Sequence, residues 1–300
     1  MKQWLILLMC LTIPLPALSE DCTESTQLVI QAFDLGHSPS NFPAQKQLIE
    51  KALKLCPNNA EAHNNLASIL EKEKDYGQAL HHYQQAVRAK SDFAVAWFGI
   101  GEVYTKTHQF LLALEAYLKA CKADTEARKR IEELLKTNRY RISEAGELMN
   151  KESLLLLFDK NRRNNISRML YDCGFRANVK PEVIFRNLLF DTGLYQIRPE
   201  SIPQIQEIGA ALQVIGSVSI KIIGHTDRQP FKGYSQSESD HMNLKLSRDR
   251  AASVADYLIR MGISQKQIHT KGLGPNNPEM NADTPEAYAK NRRVVIEVTE

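Results

Sequence analysis

Two kinds of apolar spacing divide the chain. Up to about residue 137, apolar and small residues recur at helical intervals; from about Val183 they form short blocks and alternations. The first region also has a longer period. His63, Leu66, Ala67, Leu70, Ala79, Tyr83 and Ala86 form one series. A shift of about 34 residues gives Trp97, Ile100, Gly101, Tyr104, Ala113, Tyr117 and Ala120, which keep the size class at almost every step. Such a repeat predicts pairs of antiparallel helices. Small residues let the helices approach, and Tyr, Trp and Leu fill the gaps between them. CTESTQLVIQAF and QKQLIEKALKL form an earlier, irregular pair across the long link GHSPSNFP. EARKRIEELLKT reads as a polar, amphipathic helix that caps the series.

The second region alternates strand and helix patterns. VIFRNLLFDTG reads as a strand entering a Gly turn. Ile202, Ile205, Ile208, Ala211 and Leu212 lie at helical spacing between Pro199 and Leu212. VSIKIIGHTD is a second strand. LSRDRAASVADYLIRMG is a second helix, with Ser247 placed as its N-cap and Gly262 as its stop. IHTKGLG and NRRVVIEVTE are two further strands. The order β-α-β-α-β-β predicts an α+β domain, a mixed sheet backed by helices. The chain therefore reads as multidomain: an all-α repeat domain over 20–137, a partly helical connector over 138–184 containing DKNRRNNISR, and the α+β domain over 185–300.

Composition narrows the function classes. The chain has 300 residues and a net charge of +3, which makes no electrostatic case for a nucleic-acid partner. Lys2, the apolar run WLILLMCLTI and Ala17-Leu18-Ser19 have the layout of a secretory signal over 1–19, with cleavage expected after Ser19. Beyond it no apolar run is long enough to span a bilayer, so the expected location is periplasmic, with no transmembrane segment after cleavage. Export permits disulfides among Cys22, Cys56, Cys121 and Cys173. Three pairings are possible; Cys22 and Cys56 flank the first predicted helical hairpin.

The second series, W-x2-I-G-x2-Y followed by A-x3-Y, resembles the tetratricopeptide repeat. That resemblance implies a concave groove for a peptide or protein partner, here an unidentified envelope protein. Its groove positions correspond to Asn64, Ser68, Glu71, Phe98, Glu102 and Thr105. Family members that clamp a C-terminal carboxylate use Lys at the position of Asn64, which argues against that mode here.

GHTD at 224–227, N-x-x-L-S-x-x-R-A from Asn243, G-x-G-x-x-x-P from Gly272 and NRRV from Asn291 occur in this order. Together they resemble the OmpA-like peptidoglycan-binding domain, the family of porin tails, Pal lipoproteins and MotB. The resemblance implies that Asp227 and Arg250 grip the diaminopimelate residue of a peptidoglycan stem peptide. Its free end bears an ammonium and a carboxylate on one carbon, suited to a carboxylate and a guanidinium. Asn243 and Thr226 would support that pocket, Leu246 and Ala251 would wall it, and Arg293 would add a second basic group or brace Asp227. The loop RQPFKGYSQSESDHM, long for a porin-type member, is closer to the MotB variant.

Other chemistries are weaker. His225, Asp227 and His241 lack metal-site spacing, and no nucleophile motif appears, so neither a catalytic residue, a metal nor a cofactor is expected. Two readings compete: a wall anchor that recruits a protein through its repeats, and a repeat-based assembly adaptor in which wall binding is secondary. A stator role ranks below both, since it needs a membrane helix.

Overall fold

The helix pairs form because each buries a small-residue seam. In the computed structural model, which describes residues 20–300 apart from His37 and Ala145, α1 (Glu20–Asp34) pairs with α2 (Phe42–Leu55) and α3 (Ala60–Lys72) with α4 (Tyr76–Ala89). The expected signal segment lies outside the described residues. Leu28, Ala32, Phe42, Ile49, Ala62 and Leu66 share one core. Asn59 and Asp75 cap α3 and α4 through their side chains, meeting orphan N–H groups of the first turns. Ser25 donates to the Ala52 carbonyl at 2.8 Å and accepts from Asn59 at 2.8 Å, joining α1, α2 and α3. Cys22 and Cys56 form a disulfide between the start of α1 and the end of α2.

The described chain divides into two compact units at Ala96/Trp97, inside α5 (Ala94–Lys106). The second unit continues with α6 (Phe110–Ala120) and α7 (Thr125–Thr137). Gly101 shows why the repeat needs a small residue there: a Cβ would overlap the Tyr117 ring. The connector is more structured than its polar sequence suggests. It contains a two-residue strand β1 (Ile142–Ser143), α8 (Lys151–Phe158) and α9 (Lys160–Asp172). A second disulfide, Cys121–Cys173, ties the end of α6 to the end of α9.

Strands β2 (Glu182–Leu189), β3 (Ser219–Gly224), β4 (Ile268–Gly272) and β5 (Arg293–Thr299) join β1 in a five-stranded mixed sheet, order β1-β2-β5-β3-β4. The β2/β5 and β3/β5 pairs are antiparallel; β1/β2 and β3/β4 are parallel. Helices α10 (Ile202–Ile215) and α11 (Gln236–Arg260) back it. Val183, Phe185, Ile220, Ile222, Val294 and Ile296 form the buried face, at strand period two.

Two expectations are corrected. Helix α11 is 25 residues long and begins at Gln236, capped by Ser235 in a capping box with Glu238. Ser247 is therefore mid-helix and fully buried, donating to the Leu244 carbonyl at 2.7 Å and accepting from Gly274 N–H at 3.0 Å. A short helix, α12 (Pro285–Asn291), takes up Asn291, so the last strand, expected from Asn291, begins at Arg293.

Candidate functional site

The site begins where β3 leaves the sheet. Gly224 and Gly272 lie side by side in the β3/β4 register. A Cβ on Gly224 would overlap the Ser247 carbonyl, and one on Gly272 the Ser247 side chain. Two glycines thus let α11 settle directly on the strand ends. Beyond Gly224 the chain stays pinned: His225 N–H donates to the Arg293 carbonyl at 2.9 Å and Thr226 N–H to the Gly274 carbonyl at 3.0 Å. Thr226 and Asp227 then face a cleft of about 350 Å³, whose lining includes Thr192, Lys232, Asn243, Leu246, Arg250 and Arg292.

Asp227 is 6% exposed. Its Oδ1 accepts from Gln229 N–H at 3.0 Å, and its Oδ2 from Arg292 Nη1 at 3.0 Å. Arg250 is fully buried and makes no ion pair among the described residues. It donates from Nε to the Leu194 carbonyl, from Nη1 to that of His225 and from Nη2 to that of Asp191, at 2.9, 2.9 and 2.8 Å. Its guanidinium also lies 5.3 Å from the centre of the Phe190 ring. Burial pushes its pKa down to about 10, opposed by the nearby Asp227 carboxylate. It remains a cation at neutral pH, held by dipoles and lacking a bonded carboxylate.

The other residues expected at the pocket divide. Leu246 lines the cleft, and Asn243 Nδ2 donates to the Gln229 carbonyl at 3.4 Å, bracing the loop behind Asp227. Thr226 Oγ1 is buried without a partner among the described residues. Ala251 belongs to the core and is absent from the lining. Arg293 does not brace Asp227. It lies in a separate cavity of about 190 Å³ with His225, beside Glu279 at 3.3 Å. Arg292 takes the bracing position instead, because successive strand residues point to opposite faces. The long loop also supplies Phe231 and Lys232 to the cleft, which sequence reasoning did not place. Burial, with the Arg293 charge, lowers the His225 pKa to about 4.

In the first unit Asn64 is buried, Ser68 lines a cavity of about 260 Å³ with Phe33, Asn65 and Lys72, and Glu71 accepts from Tyr83 at 2.8 Å. In the second unit Glu102 accepts from Tyr117 at 2.7 Å and from Arg130 at 3.0 Å. Thr105 shares the Tyr117 hydroxyl, and the Phe98 ring packs against Tyr117. Glu102 and Thr105 are thus tied into an internal network.

Residues 189–292 match the model of the OmpA family. Residues 48–81 and 70–128 match tetratricopeptide repeat models. The outer-membrane lipoprotein YfiB of Pseudomonas aeruginosa is 31% identical over 127 residues, 42% of this chain and 68% of that protein. The chain belongs to the OmpA family. The probable lipoprotein YiaD of Escherichia coli is 34% identical over 37% of this chain. The peptidoglycan-binding protein ArfA of Mycobacterium bovis is 41% identical over 30% of this chain. The chain spans less than half the length of these two relatives, 47% and 28%. Among the described residues no helix is long and apolar enough to cross a membrane.

Proposed function

We propose that the chain is a non-catalytic periplasmic anchor that holds peptidoglycan in the cleft at the end of β3. Asp227 accepts the ammonium of a diaminopimelate residue, and Arg250 takes the carboxylate on the same carbon. The observation that carries this reading is the buried Arg250 guanidinium. Three of its five N–H donors are spent on carbonyls, no carboxylate among the described residues is bonded to it, and it borders an open cleft that Asp227 also lines. A ligand carboxylate supplies the missing counter-charge, and Thr226 Oγ1 offers an unused hydroxyl.

Each charge-assisted bond contributes about 1.5–3 kcal/mol net. One site is therefore weak, and repetition of the ligand along the wall supplies retention. The names of the relatives agree with this: ArfA is called peptidoglycan-binding. The tetratricopeptide helices recruit a protein partner to the wall.

Co-sedimentation with purified sacculi tests the reading. Wild type should pellet with the wall, and Asp227→Asn should stay in the supernatant while keeping the circular dichroism spectrum of a folded protein. Free diaminopimelate should compete. A wild type that remains soluble beside sacculi, or an Asp227→Asn protein that pellets equally well, rejects the assignment.

A further inference from the structure

The cleft carries more positive charge than a diaminopimelate end can balance. Arg250, Arg292 and Lys232 line it against one carboxylate, Asp227. Neighbouring Arg228 is already paired, with Asp283 at 2.7 Å. The free end of diaminopimelate is a zwitterion without net charge, so seating it between Asp227 and Arg250 leaves the surplus in place.

The backbone that carries Lys232 is held rather than loose. Tyr234 N–H donates to the Phe231 carbonyl at 3.2 Å, closing a tight turn. Gly233 has φ +86°, the positive value that a type II turn requires at its third residue. Phe231 N–H donates to Ser239 Oγ of α11 at 3.0 Å, and the Ser235–Glu238 capping box fixes the exit of the turn. Both ends are thereby fastened to α11, with Lys232 at the corner, beside the cleft. Among the described residues its ammonium has no acidic partner.

We infer that Lys232 makes the site selective for stem peptides bearing a second free carboxylate near the diaminopimelate residue, over peptides amidated at that group. This rests on the diaminopimelate reading of the same cleft. Two carboxylates have the required chemistry: the α-carboxylate of a γ-linked D-glutamate preceding diaminopimelate, and the α-carboxylate that ends the peptide. A flexible ammonium on a fixed turn recognises either as a point charge, without the two-pronged geometry a guanidinium imposes.

The test is calorimetry on the full chain with three synthetic peptides. The first is L-Ala-γ-D-Glu-meso-diaminopimelate with free carboxylates; the others are amidated at the D-glutamate α-carboxyl or at the terminal α-carboxyl. Wild type should bind one amide about fivefold more weakly than the free peptide, and which amide it is identifies the carboxylate. Lys232→Gln should bind the free peptide weakly by the same factor and no longer separate it from that amide. Lys232→Arg should keep the preference. A Lys232→Gln protein that binds and discriminates as wild type does overturns the inference while diaminopimelate recognition stands. If wild type fails to bind the free peptide, or Asp227→Asn binds it equally well, the diaminopimelate reading falls and this inference with it.

Discussion

Arg292 Nη1 donates to Asp227 Oδ2 at 3.0 Å, and both side chains are largely buried. The carboxylate that faces the cleft is thus already braced by the residue between α12 and β5. Removing the guanidinium alone leaves a nearly buried carboxylate with Gln229 N–H as its remaining donor. Arg292→Met should therefore destabilise the second unit by about 2–4 kcal/mol. Adding Asp227→Asn should restore part of that loss. Urea denaturation of the two single variants and the double variant measures the coupling, expected to be about 1 kcal/mol or more.

The glycines at the strand ends make a separate prediction. A Cβ at Gly224 meets the Ser247 carbonyl, which belongs to helix backbone and cannot swing away. Gly224→Ala should cost about 3 kcal/mol or more, or leave the protein insoluble. Gly216→Ala, with no atom within reach but φ +86°, should cost less, about 1 kcal/mol, through backbone strain alone. Melting temperatures of the two variants give the ranking.

Cys121–Cys173 closes a loop with a sequence separation of 52 residues within the second unit. Constraint of the unfolded chain predicts a contribution of about 2–4 kcal/mol. A Cys121→Ala, Cys173→Ala protein should unfold at lower urea than wild type and lose its sensitivity to dithiothreitol at that transition. Equal midpoints would mean the bridge stores nothing.

His225 predicts acid sensitivity. Burial, reinforced by Arg293, lowers its pKa from 6.5 to about 4. Between those values the unfolded chain takes up a proton that the folded chain refuses, so stability is full above pH 6.5 and falls as pH drops toward 4. At most about 3 kcal/mol is at stake. Denaturation at pH 7 and pH 4.5 should show a smaller difference for His225→Gln than for wild type.

Much of the fold was legible because its signals are local. The tetratricopeptide spacing is a matter of residue size at fixed intervals, and Gly101 against Tyr117 is its physical basis. Four of the sheet strands and both long helices showed their periods. Strand β1 did not: two residues carry no period, and what holds them on β2 is long-range, the parallel pairing itself and Asn187 of β2 donating to Ser143 Oγ at 3.1 Å. Ser247 misled as a cap since Ser before an apolar run has that appearance, while the real cap, Ser235, precedes a polar turn.

The candidate site followed the same division. Asp227, Thr226, Asn243, Leu246 and Arg250 could be named from ordered motifs, and all five line one cleft. The exchange of Arg293 for Arg292 was readable in principle. In NRRVVIEV the core-facing residues are Val294 and Ile296, so the strand's alternation puts Arg292, not Arg293, on their side.

The sequence by itself determined the repeat and the sheet-and-helix order, and it named Asp227 and Arg250 as candidates, because periodicity and short motifs are properties of neighbours along the chain. Tertiary structure alone decided that Arg250 rests on three carbonyls, that Arg292 holds Asp227, and that a turn fastened to α11 brings Lys232 to the cleft. Those contacts join residues distant in sequence, and only close packing and the saturation of buried hydrogen-bonding groups select them.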